Sequence, residues 1–213
     1  MSDLTLYIGD KNLSSWSLRP WLILKQAAIP FVERTIRLGQ PTTRGDILEK
    51  SPNGLVPCLT HGKLTIWDSL AIAEYLAETF PDKQLWPADK SARAEARSIS
   101  AEMHSGFSNL RTVWPMFFAR EGMRHLRPDA VKRDIARIAE IWTGARTRYG
   151  KGGPFLFGAF SIADAMYAPV VSRFVTYGPV ELPPAAAEWR DMMFALPAMQ
   201  EWGAVAKAET AKG

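Results

Sequence analysis

The sequence predicts a chain in two parts, an α/β unit of order βαβαββα over residues 1–83 and an all-helical unit over residues 92–213, joined by a linker at 84–91. Three observations carry this. Up to residue 83, short apolar runs of strand length alternate with helical stretches. Beyond it, apolar residues recur at steps of three and four and no strand signal competes. Between the two, Pro81 and Pro87 bracket a segment that neither pattern crosses.

Residues 4–8 read as a strand, 18–27 as a helix, 31–37 as a strand and 44–50 as a short helix. Residues 56–60 and 64–67 flank His61 and Gly62, which predicts a hairpin with a two-residue turn. A helix over 68–80 closes the unit, with Leu70, Ile72, Ala73, Leu76 and Phe80 as its apolar side. This order implies a small mixed sheet with helices on both faces. In the second part Ile99, Met103, Phe107, Leu110, Trp114 and Phe117 lie at helical spacing, as do Val131, Ile135, Ile138, Trp142, Ala145 and Tyr149. Two long antiparallel helices follow, with Pro115 kinking or ending the first. Further helices fit 162–174, 185–195 and 198–208.

With 213 residues the chain can build one large domain or two small ones with real cores. Its 15 glycines and 15 prolines are too few for a collagenous or low-complexity chain. A single cysteine excludes an intrachain disulfide, a cysteine zinc cage and an Fe–S site, which suits a reducing compartment. No basic segment followed by an apolar one opens the chain, and no run approaches the ~18 apolar residues of a membrane span. A soluble cytoplasmic protein, without metal or membrane association, is expected.

The net charge of +4 comes from the second part, because residues 1–83 carry nine basic and nine acidic side chains while 84–213 carry 17 and 13. Residues 111–151 alone hold ten basic and four acidic. Such a run could attract nucleic acid or small anions. Glu121, Asp129, Asp134 and Glu140 interrupt it, and no aromatic interleaving accompanies it, so a solvated helix face is the better reading and no nucleic-acid partner is expected.

Three places carry chemistry. Ser14, Ser15 and Ser17 lie where the first strand gives way to the first helix. Hydroxyls there can simply cap the helix, or one can point at an anion over the helix N-terminus, where free N–H groups and the dipole favour negative charge. A thiolate suits that place; a free thiol has a pKa of ~8.5 and each unit of lowering takes ~1.4 kcal/mol, within reach of a hydrogen bond plus the dipole. No cysteine stands there, so the thiol must come from a ligand. Val56 and Pro57 precede the third strand, and a cis bond between them would offer the Val56 backbone to an extended peptide ligand. Asp68 and Ser69 begin the next helix, either as a plain N-cap pair or as partners for an ammonium group and a carboxylate respectively.

With Asn53, Gly54, Val56 and Pro57 before a hairpin, Asp68, Ser69, Ala71 and Ile72 after it, and Ser161 and Asp164 placed as a helix capping box, the chain resembles a glutathione S-transferase over nearly its whole length. The resemblance implies a thioredoxin-like N-terminal domain, a helical C-terminal domain, glutathione as co-substrate and a homodimer. Ser14, Ser15, Trp16 and Ser17 are similar to the serine-rich start of zeta-type members, which implies Ser14 as the thiolate-activating hydroxyl, with Ser15 as close rival. By the same resemblance Val56 and Pro57 hold the cysteinyl backbone, and Asp68 with Ser69 the γ-glutamyl end. Two positions depart from the pattern. Trp16 replaces the zeta-type cysteine, which weighs against maleylacetoacetate isomerase activity, and Leu55 stands where many members have Lys or Gln. Leu55 offers only its backbone, leaving Lys11, Gln40 and Arg44 as candidates for the glycyl carboxylate.

The other conspicuous residues read more plainly. Cys58 is expected as a small buried hydrophobe, and His104 as a domain-interface histidine within possible reach of a second substrate. His61 and His125 are assigned to solvent. Trp114, Met116, Phe117, Phe118 and Met123 are mostly core by spacing, with Trp114 a candidate second-substrate contact. Ser161 and Asp164 belong to folding. The function expected is conjugation of glutathione to electrophilic, largely apolar small molecules. The alternatives are glutathione-dependent isomerisation and a glutathione-binding module with little turnover.

Overall fold

The computed structural model describes residues 3–123 and 129–211. In chain order it contains β1 (Leu4–Gly9), α1 (Ser15–Gln26), β2 (Val32–Ile36), α2 (Thr43–Leu48), β3 (Cys58–His61), β4 (Leu64–Trp67) and α3 (Ser69–Thr79), the βαβαββα order expected. The rest is helical: α4 (Lys90–Ser105), α5 (Ser108–Val113), α6 (Asp129–Tyr149), α7 (Ile162–Thr176), α8 (Pro184–Ala195) and α9 (Pro197–Thr210). None of the described helices is long and apolar enough to cross a membrane.

The sheet runs β2-β1-β3-β4. β1 and β2 are parallel, joined by the α1 crossover, while β3 is antiparallel to both β1 and β4. β1 turns Leu4, Leu6 and Ile8 into the core, the period of two that its sequence shows. α1 is buried from Ser17 to Leu24, because it is packed between the sheet and α7. α7 is the central helix of the second part, with almost every residue buried from Ile162 to Phe174. A helix enclosed on all sides needs no amphipathic stripe, and this one is apolar nearly all round.

Three boundaries differ from the sequence reading for local reasons. β3 starts at Cys58 and not at Val56, since Pro57 has no N–H to give the ladder. His61 pairs with Leu64, so the hairpin turn is Gly62 and Lys63, with Gly62 at φ +57. His61 is half-buried and not given wholly to solvent; its Nδ1 meets the Tyr75 hydroxyl at 2.7 Å. The first long helix breaks well before Pro115, at Gly106 and Phe107, where Phe107 takes φ +54 and a β-carbon on Gly106 would meet the Glu102 carbonyl at 2.7 Å. α4 and α6 remain antiparallel neighbours, tied by Arg137 to Glu102 at 2.7 Å and by Arg148 to Glu95.

Most of the described basic run is locally paired: Lys132 with Asp129, Arg137 with Glu102 and Glu140, and Arg146 with the carbonyls of Gly150, Gly153 and Phe155. His125 lies outside the described residues.

The segment before α1 is locked onto the helical part. The Asn12 amide donates to Glu209 at 3.1 Å, its side-chain oxygen accepts from the Ala119 N–H at 2.9 Å, and the Lys11 carbonyl accepts from the Trp202 indole at 2.7 Å. α9 and the segment after α5 thereby hold the stretch that leads into α1.

Candidate glutathione site

Ser14 is the N-cap residue of α1, yet its side chain makes no capping bond. Its hydroxyl lies 2.7 Å from that of Ser17, which accepts from the Gly9 N–H at 3.1 Å. With Gly9 supplying one proton, Ser17 is free to donate to Ser14, and Ser14 then keeps its own proton for a ligand. Both serines are buried, while Ser15, the first helical residue, is half-exposed.

After α2 the chain turns on Gly54 at φ +68, with Asn53 Oδ1 accepting from the Ser51 hydroxyl at 2.8 Å and from the Leu55 N–H at 2.9 Å. Leu55 thus spends its backbone donor locally, and its side chain is 63% exposed. The Val56–Pro57 bond is cis, as the sequence reading expects. The Val56 N–H and carbonyl find no hydrogen-bond partner among the described residues.

Asp68 caps α3 from φ +73, with Oδ1 accepting from Leu70 N at 2.8 Å and Ala71 N at 3.3 Å. Its Oδ2 faces His104 Nε2 from α4 at 3.2 Å. Ser69, one residue on, is buried and accepts from Arg19 at 3.3 Å. These loops enclose a cavity of about 270 Å³ walled by Trp16, Asn53, Leu55, Val56, Pro57, Asp68 and Ser69. Five of the expected site residues therefore meet in one place: Leu55, Val56, Pro57, Asp68 and Ser69. Ser14 and Ser15 stand beside it, directly before Trp16, and are not among its walls.

Trp16 organises the cavity's far wall. Arg19 lies over its ring at 4.2 Å, Arg111 at 5.3 Å, and His104 meets it edge-on at 5.3 Å. Burial pushes the Arg19 guanidinium down to about 9, and the like charges of Arg173 and Arg111 add to this. Burial likewise lowers His104, opposed by Asp68 and reinforced by Arg19 and Arg111. The sequence reading missed Arg19. The available signal was one charged residue inside the apolar run Leu18, Pro20, Trp21 and Leu22.

Several expectations require correction. Lys11 pairs with Glu33 at 2.8 Å and is wedged between the rings of Trp21 and Trp202, so it has no freedom to reach a ligand carboxylate. Gln40 lines a different cavity, beside Asn12 and Glu209. Arg44 is exposed and reaches toward Gly54, 3.8 Å from where a β-carbon there would sit. Trp114 is fully buried, stacked on Tyr177 at 5.1 Å, so it belongs to the core and not to a second-substrate surface. Met116 and Phe118 are buried, as their spacing predicts.

The chain matches the N-terminal domain model of glutathione S-transferases over residues 13–79 and the C-terminal domain model over residues 128–202. It belongs to the glutathione S-transferase superfamily. Maleylacetoacetate isomerase of Rattus norvegicus is 35% identical over 172 residues, 79% of this chain and 76% of that protein. Probable maleylacetoacetate isomerase of Caenorhabditis elegans is also 35% identical, over 108 residues, with 51% of this chain matched to half of that protein. Among solved structures, a glutathione transferase homolog from Burkholderia gl BGR1 with bound glutathione superposes with a TM-score of 0.69 at 26% identity, covering 96% of this chain and 98% of that one.

Within this glutathione S-transferase fold, Cys58 is a packing residue. It is fully buried, its Sγ donates to the Lys50 carbonyl at 3.3 Å, and burial raises its thiol, so it is poorly disposed to act as a thiolate. Ser161 and Asp164 form the expected capping box at the start of α7. They sit apart from the cavity walls.

Proposed function

We propose that this protein binds glutathione in the Trp16, Val56 and Ser69 cavity and uses it as a thiolate nucleophile toward small electrophiles. The observation that carries the reading is the Val56 backbone, unpaired among the described residues, beside a cis proline and in one cavity with Asp68 and Ser69. An extended cysteinyl backbone pairs with Val56 as an added strand. Asp68 takes the γ-glutamyl ammonium group, and Ser69 at the α3 N-terminus takes the carboxylate. Arg44 takes the glycyl carboxylate, since Lys11 is already paired.

The ligand sulfur then sits at the start of α1. There the chain from Gly9 through Ser17 to Ser14 ends in a hydroxyl proton directed at the thiolate, with the helix dipole behind it. The thiol proton leaves to solvent and the thiolate attacks the electrophile, so catalysis comes from thiolate stabilisation and from holding the two reactants together. Residues 1–83 bind glutathione and residues 92–213 contribute the electrophile side, where His104 reaches Asp68. The protein works as a cytoplasmic homodimer.

The test is a panel of electrophiles assayed with and without glutathione, following glutathione consumption. Conjugation consumes it stoichiometrically. A second reading, glutathione-dependent isomerisation, draws support from the 35% identity to maleylacetoacetate isomerases. There the thiolate adds and leaves again, so product forms with glutathione unchanged. Absence of any glutathione-dependent turnover across the panel would defeat both readings.

A further inference from the structure

The buried face of α1 carries one charge, Arg19, which is 2% exposed. A guanidinium has five N–H donors and no acceptor. Nη1 of Arg19 donates to the Ser69 hydroxyl at 3.3 Å, while its Nε is buried with no partner among the described residues. Asp68 attracts it through space, but both oxygens of that carboxylate are engaged elsewhere, by Leu70, Ala71 and His104. Tyr167 adds a smaller attraction and the Trp16 ring lies 4.2 Å away, whereas the like charges of Arg111 and Arg173 repel it. A buried cation with unmet donors among like charges is unfavourable unless an anion comes to it.

The bond to Ser69 says where that anion sits. Arg19 can only donate, so Ser69 Oγ is the acceptor, and the hydroxyl's own proton remains to be donated. Ser69 is a wall of the cavity. We propose that Arg19 is a positioning residue that fixes the Ser69 hydroxyl as a donor into the cavity and supplies the countercharge behind it, making the cavity select ligands whose γ-glutamyl end bears a carboxylate. This rests on the glutathione reading above. It assigns the carboxylate preference to a buried side chain that touches no ligand.

The experiment is calorimetric titration of the full chain with glutathione and with 4-aminobutyryl-cysteinyl-glycine, which lacks only the α-carboxylate of the γ-glutamyl group. The wild type should bind glutathione more tightly by about tenfold or more, the range of a charge-assisted hydrogen bond. Arg19→Met should lose that preference while holding the analogue as before. Arg19→Gln, which can donate to Ser69 without a charge, should fall between. Should these variants fail to fold, the Arg19 Nε–Hε resonance of the wild type gives the same answer: it should move on saturation with glutathione and stay in place with the analogue. Equal losses for both ligands in Arg19→Met, or the same resonance shift with both, would overturn the proposal. A wild type that binds neither ligand would overturn the glutathione reading itself, and this proposal with it.

Discussion

Asp164→Ala removes an acceptor on which four donors converge. Asp164 is fully buried, with Oδ1 accepting from Leu156 N and Trp189 Nε1, both at 2.9 Å, and Oδ2 accepting from Ser161 N at 2.9 Å and the Ser161 hydroxyl at 3.0 Å. The hydroxyl can rotate away. The three N–H groups cannot, because the backbone and the Trp189 ring are held by packing. A stranded buried donor costs ~1–3 kcal/mol, so three cost ~3–9 kcal/mol. Against this stands relief from a carboxylate whose pKa burial raises from 3.8 to about 6, which at neutral pH amounts to ~3 kcal/mol. The net destabilisation is then centred near ~3 kcal/mol, and at ~2–4 °C per kcal/mol for a chain of this size the melting temperature should fall by roughly 6–12 °C. Scanning calorimetry and glutathione titration on the same sample provide the assay. Asp164 is not a wall of the cavity, so folded variant should bind glutathione as the wild type does. Unchanged melting combined with lost binding would refute the reasoning and place Asp164 in the site.

The same residue predicts a pH dependence. Because burial raises its folded pKa, Asp164 favours folding most below about pH 4, and that contribution declines as pH rises toward about 6. The stability of wild type minus Asp164→Asn should therefore fall between pH 4 and 6 in denaturant titrations and level off above; a difference that rises with pH would mean the four donors outweigh burial. Ser14→Ala should raise the pKa of glutathione's bound thiol, read by ultraviolet titration of the thiolate, with binding largely intact. A larger shift in Ser15→Ala, with none in Ser14→Ala, would move the role one residue on. Lys11→Met should lower the melting temperature, since Glu33 would keep only the Trp21 indole as partner, and leave glutathione affinity alone. Arg44→Ala should do the reverse, weakening glutathione binding with melting unchanged; the opposite pattern would return the glycyl carboxylate to Lys11.

What the sequence determined by itself was local. The βαβαββα order follows from periods of two and of three to four, which any short window displays. Asp68 with Ser69, Val56 with Pro57, and Ser161 with Asp164 are legible because capping and proline geometry act over a few residues. Packing decided the rest. Trp16 and Trp114 are the same residue type, each near a helix end, yet one walls the cavity and the other is sealed against Tyr177. Lys11 looked free until Glu33, Trp21 and Trp202 closed around it from β2, α1 and α9. His104 finds Asp68, and Arg19 finds Ser69, only because helices far apart in the chain come to rest against one another. A side chain's charge and size are written in the sequence, whereas its solvent, its neighbours and therefore its work depend on long-range contacts that no local period encodes.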